Sequence, residues 1–133
     1  MRVTVSKTIS FIPEFCGNKN LPATDQIVVK LRNPTIAIRE RCRDQSETTA
    51  RADPQGRIDH IDIQLKTDEN TILREMVESI SGCEYDDGNT TTAVTNAKSL
   101  NDAPIEFAPL RAEIVRKCKE ILDKSEVNEK NSE

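Results

Sequence analysis

Tryptophan is absent from this chain, tyrosine occurs once and phenylalanine three times. A sequence so poor in aromatic rings has few platforms on which bases or sugars could stack, and its core must be built from Ile, Leu and Val. Histidine is also scarce. His60 is the only one, and Cys16, Cys42, Cys83 and Cys118 lie 26, 41 and 35 residues apart with no CxxC pair. That spacing disfavours a zinc site, and no metal or other cofactor is expected. There is no glycine-rich phosphate loop, no GxSxG and no HExxH. No apolar run is long enough for a signal peptide or a membrane span, so the expectation is a cytoplasmic protein with free thiols and no membrane partner.

What is present is charge and aliphatic pattern. The 133 residues carry a formal charge of −4, which argues against a nucleic-acid partner. Residues 1–66 hold 11 Lys and Arg against 8 Asp and Glu, whereas residues 67–133 hold 8 against 15. A basic front and an acidic back favour head-to-tail contact between copies, so a homo-oligomer is among the expected partners. The length suits one domain, placed at residues 1–124, with residues 125–133 expected as a disordered polar tail.

Residues 102–123 carry the clearest pattern. Leu110, Ile114, Val115, Cys118, Ile121 and Leu122 recur at helical spacing, with Arg and Glu filling the opposite side. Pro109 suits a first turn, so the regular helix is predicted to begin there. A second amphipathic helix is predicted through Ile72, Leu73, Met76, Val77 and Ile80, capped by Thr67 or Asp68 and stopped at Gly82. Its stripe is the natural partner for that of the last helix.

The front half reads as strands. Val3, Val5, Thr8, Ile9, Phe11 and Ile12 form a β-rich opening ended by Pro13, and residues 14–25 hold enough turn formers to be a loop. Residues 26–31 form a second strand with Ile27, Val29 and Leu31 on its buried face, paired antiparallel with the first. Asn33 and Pro34 are expected to start a short helix running to Arg43, and residues 45–56 to be an exposed, mobile loop. Residues 57–66 alternate as a third strand. Cys83 to Tyr85 and Thr90 to Thr92 flank a turn, and Thr95 is expected to cap a short helix bearing Ala97 and Leu100. The predicted fold class is α+β, a small antiparallel β-sheet with two principal amphipathic helices packed together.

Candidate chemistry is thin. His60 and Asp62 share a strand face and would have to carry any small hydrolase, but an imidazole on the polar face of an alternating strand reads more simply as a surface residue. Asp86, Asp87, Gly88 and Asn89 lack the spacing of a calcium loop and read as a turn. Arg39, Arg41 and Arg43 would fan out on a helix beside Glu40 and Asp44, which reads as a solvated face.

Residues 9–18, the Leu21-Pro22 pair, residues 25–29 and Asn33-Pro34-Thr35, followed by the helix at 72–80, the turn at Gly88, residues 95–100 and a terminal helix with Leu110, Glu113 and Ile114, resemble a known group. They are similar to the small tail assembly chaperones of tailed phages and prophages, over about residues 9–122. The sequence departs from that pattern in the arginine-rich residues 36–43 and the long polar 45–56 segment. The resemblance implies a cytoplasmic, non-enzymatic factor of the bacterial host cell that binds the phage tape measure protein and tail tube protein before the tail polymerises. The alternative role in the same setting is a structural tail or neck protein that stays in the virion. Such a chaperone has no catalytic residues to carry over. Physical reasoning instead selects Phe11, Phe15, Ile27 and Phe107 as partner-binding positions, with the loop from Pro13 to Pro22, although each equally suits the core and the core is the favoured reading of Phe11 and Ile27.

Overall fold

The computed structural model describes residues 1–43, 45–52, 58–66 and 68–131, with side chains described outside 45–52, 58–66 and 125–131. The fold is α+β. Three antiparallel strands, β1 (Thr8–Phe11), β2 (Val28–Arg32) and β5 (Val77–Ser81), form the principal sheet in the order β1-β2-β5. Two further hairpins join β3 (Gln45–Ala52) to β4 (Ile58–Lys66) and β6 (Glu84–Asp86) to β7 (Thr91–Ala93). Among the described residues the α-helices are α1 (Ile36–Arg41), α2 (Glu69–Met76), α3 (Ala97–Asn101) and α4 (Ala108–Asn131).

The stripe of α4 is buried as its spacing predicts: Leu110, Ile114 and Cys118 are fully covered, with Val115 and Leu122 nearly so. They meet Ile72, Leu73 and Met76 of α2 and Val29 and Leu31 of β2 in one apolar core. Full burial of a Leu or Ile side chain contributes about 1.5–3 kcal/mol, so this layer dominates the stability. At its edge, Arg111 of α4 donates to Glu69 Oε2 at 2.7 Å and to Asn70 Oδ1 at 2.9 Å, tying the first turns of the two helices together.

Several expectations are corrected. The second helix ends at Met76, and residues 77–81 form β5. Leu31 faces Val77 and Lys30 faces Ser79, which leaves Glu78 as an extra residue in a bulge. The bulge turns both Val77 and Ile80 inward, so a three-residue spacing that mimics a helix belongs to a strand. Gly82 does take a positive φ of 73°, but it ends a strand there. In the opening segment the strand starts only at Thr8, and Val3 and Val5 are 72% and 70% exposed. Ile27 precedes β2 and is half-buried.

Residues 45–52 are a strand where a loop was expected, because a polar, β-branched segment with Thr48 and Thr49 takes its order from pairing with β4, in the register Thr48↔Ile63. Residues 53–56, the rest of the expected loop, Arg57, the expected start of the third strand, and Thr67, one candidate cap, lie outside the described residues. Helix caps also move by a residue or two. Thr35 caps α1 by accepting from Ile38 N–H at 3.1 Å, while Asn33 Nδ2 donates to the Ser6 carbonyl at 2.8 Å and holds the opening segment. Asn96 caps α3 in place of Thr95, paired with Ser99 in a reciprocal capping box. Asp68 caps α2. The last helix runs to Asn131 through the segment expected to be a disordered tail, which contains no Gly or Pro before that point to stop it.

Candidate binding cleft

Between β1 and β2 the chain makes two short 3-10 turns, Phe15–Asn20 and Ala23–Asp25. Cys16 and Gly17 lie in the left-handed region, at φ 50° and 72°, and reverse the chain after Phe15. One amide organises the loop. Asn18 is 2% exposed; its Nδ2 donates to the Pro13 carbonyl at 2.9 Å and the Ile27 carbonyl at 3.0 Å, and its Oδ1 accepts from Ile27 N–H at 2.6 Å. A buried side chain with all these groups satisfied clamps both ends of the loop, because releasing it would strand polar groups away from water. Gln26 Nε2 adds bonds to the carbonyls of Lys19 and Leu21.

The clamp sets Phe15 against Phe107, the last residue of a 3-10 turn ahead of α4, with ring centroids 5.6 Å apart. Tyr85 of β6 stacks on Phe107 from another side at 5.5 Å. Around this aromatic cluster opens a cleft of about 200 Å³, walled by Phe15, Leu21, Ile27 and Phe107, with Gly82 and Cys83 beside them. Gly82 must remain glycine there. A Cβ on it would stand 2.3 Å from the Gln26 carbonyl oxygen, so the end of β5 and the end of the loop touch backbone to backbone. Asp25 and Glu84 also line the cleft, and among the described residues no Lys or Arg does.

Of the four positions chosen from the sequence, Phe15, Ile27 and Phe107 therefore converge, and Leu21 of the same loop is 47% exposed at the rim. Phe11 does not join them. All four pack against the core, and Phe11 borders a separate groove with α4, lined also by Glu14, Glu113 and Glu120 and by Lys19, Arg116 and Lys117. The sequence carries no sign that Gly82 and Glu84 border the cleft or that Tyr85 contacts Phe107, since nothing local shows that the 82–86 segment folds against Phe107.

The other candidates resolve as follows. Arg41 pairs with Glu75 at 3.0 Å, and Arg39 and Arg43 approach Glu40 at 3.7 and 3.4 Å, so each guanidinium of the triad faces a carboxylate. In the 86–89 turn, Asp87 Oδ1 accepts from Asn89 and Thr90 N–H, both at 2.9 Å, and Asp86 Oδ1 accepts from Gly88 N–H at 2.8 Å. The bond from Thr90, with that from Asn89, holds the Asp87 carboxyl below its usual range. These carboxylates shape the turn. Strand β4 places His60 opposite Arg51 and Asp62 opposite Thr49, but their side chains lie outside those described.

Cys42, Cys83 and Cys118 are buried and Cys16 is exposed, all as free thiols. Burial pushes the three buried thiols above their ordinary value, to about 12 for Cys118. Thiols so placed stay protonated at neutral pH, the opposite of nucleophile activation. Among the described residues no group of three or more His, Cys, Asp or Glu is gathered to hold a metal ion, and no helix is long and apolar enough to cross a membrane.

The arrangement is an α+β fold with a small cleft walled by Phe15, Leu21, Ile27 and Phe107 and bordered by Asp25 and Glu84. Compared with known proteins, the chain matches no family model, no curated protein and no solved structure.

Proposed function

We propose that this chain is a non-enzymatic, cytoplasmic protein-binding factor of the tail assembly chaperone kind, which holds the phage tape measure and tail tube proteins before the tail polymerises. The observation that supports this reading is the convergence of Phe15, Ile27 and Phe107, chosen for their apolar surface, in one cleft with Leu21 at its lip. At about 200 Å³ the cleft is smaller than the roughly 300–1,000 Å³ of small-molecule sites, and it suits one or two side chains of a protein partner. Its clamped loop keeps the aromatic lining in place before any client arrives, which lowers the ordering cost of binding.

Co-expression with the tape measure and tail tube proteins of the same tail gene cluster tests the proposal. The wild-type chain is expected to keep them soluble and to co-purify with them. Leu21→Asp, at the rim and away from the core, is expected to weaken that association by about tenfold, or 1.4 kcal/mol. Clients that stay soluble and unbound without the chain would overturn the reading. So would finding the chain in purified particles in fixed proportion to the tail proteins, which belongs to the structural virion alternative.

A further inference from the structure

We infer that the cleft of one copy receives the opening arm of a second copy, with Val3 or Val5 seated on the Phe15–Phe107 lining. The arm is made for an apolar, acidic seat. Val3 and Val5 alternate with Arg2, Thr4 and Ser6, so in extended form both valines fall on one side, and the flanking Arg2 and Lys7 are cationic. No Asp or Glu occurs in residues 1–13. At 72% and 70% exposure, the two valines are among the most exposed large apolar side chains of the molecule. The cleft is the complement: apolar walls, carboxylates at Asp25 and Glu84, and, among the described residues, no cation lining it.

The arm cannot fill its own cleft, because it is tethered at the wrong end of the sheet. Asn33 holds it by donating its Nδ2 to the Ser6 carbonyl at 2.8 Å and its backbone N–H to the Lys7 carbonyl at 3.0 Å. Ile27, in the cleft wall, lies at the opposite end of β2 from Asn33, a separation of about 20 Å at roughly 3.3 Å per residue. Val3 is three residues from the Ser6 anchor and reaches at most about 11 Å from it, even fully extended. The contact is therefore between copies, and neither arm nor cleft depends on which client the chain serves. Arm exchange in both directions closes a pair, and exchange in one direction builds a row. In either form the arm covers the cleft until something displaces it.

The exposed Cys16 at the cleft supplies the test. A chain carrying V3C and C16S, mixed with wild type and treated with a short bismaleimide, is expected to yield a covalent dimer of the two different chains. C16S mixed with wild type, lacking the arm thiol, is the background. In sedimentation of the full chain, wild type is expected to run above monomer mass at tens of micromolar, and V3D/V5D as monomer with an unchanged circular dichroism spectrum. Added salt is expected to weaken the wild-type association, because it screens the attraction between the cationic arm and the carboxylates of Asp25 and Glu84. A wild-type chain that stays monomeric throughout, or dimers that persist in V3D/V5D, would overturn the inference. So would a cross-link yield no greater than background.

Discussion

The α2–α4 layer and the loop between β1 and β2 are ordered by opposite means. In the helical layer, order is spread over Ile72, Leu73, Met76, Leu110, Ile114 and Cys118, each almost completely covered and none able to define the contact alone. In the loop, order is concentrated in the amide of Asn18, whose three hydrogen bonds close the segment from Pro13 to Ile27. A distributed apolar contact is robust to small changes and fails globally, whereas a single satisfied polar clamp fails locally and all at once. The cleft depends on the second kind of order, so its lining is expected to be lost before the core.

The comparison can be broken most severely in the helical layer. Leu73→Ala or Ile114→Ala is expected to cost about 2–5 kcal/mol in denaturant unfolding, and the pair together to be non-additive. Asn18→Ala is expected to cost about 2–3 kcal/mol, by stranding the Ile27 N–H and the Pro13 carbonyl, and its signature should differ. Limited proteolysis should cut between Glu14 and Gln26 while amides of α4 stay protected; equal deprotection of both would refute the division into local and global order. Gly82→Ala is expected to cost about 1–3 kcal/mol, because φ 73° is unfavourable for alanine and the methyl group would meet the Gln26 carbonyl. Its damage should follow the Asn18 pattern, since Gly82 borders the same cleft.

Arg111→Ala sharpens the boundary between the regions. Arg111 bonds Glu69, Asn70 and Asn101 near the surface, so a loss of roughly 0.5–1 kcal/mol is expected, decreasing in high salt. The smallest effect near neutrality is titration of Cys118. Its folded thiol is pushed up to about 12 from an ordinary 9.0 by burial and by nearby Cys42, so the unfolded chain loses its proton first. The stability this protonated thiol contributes is complete below pH 9.0 and is lost as pH rises toward about 12. In an alkaline unfolding series the stability difference between wild type and Cys118→Ala should be constant below that window, reflecting lost packing, and should shrink as pH rises through it.

Much of this architecture was legible in local pattern. The stripe from Leu110 to Leu122 announced its helix because 3.6-residue periodicity depends on neighbouring residues alone, and its pairing with Ile72, Leu73 and Met76 followed from two apolar faces needing cover. Alternation at Val29 and Leu31 likewise marked β2. Val77 and Ile80 misled because a bulge at Glu78 reproduces helical spacing, and the bulge exists only against Lys30 and Leu31 of β2. Asn18 looked like one more turn former, since nothing beside it in sequence reveals the Ile27 backbone it would meet.

The sequence by itself determined the aliphatic core, the last helix, the helix through Ile72, Leu73 and Met76, and the β2 strand; that residues 1–7 stand exposed ahead of β1 and that residues 77–81 are a strand came from the structure. Only the tertiary structure decided that Phe15, Ile27, Tyr85 and Phe107 share one place, and that Gly82 touches the loop that carries two of them. The division has a physical cause. Periodicity and propensity act over a few residues, while a cleft is made by backbone closures between segments distant in the chain, and their geometry is set by what each segment packs against.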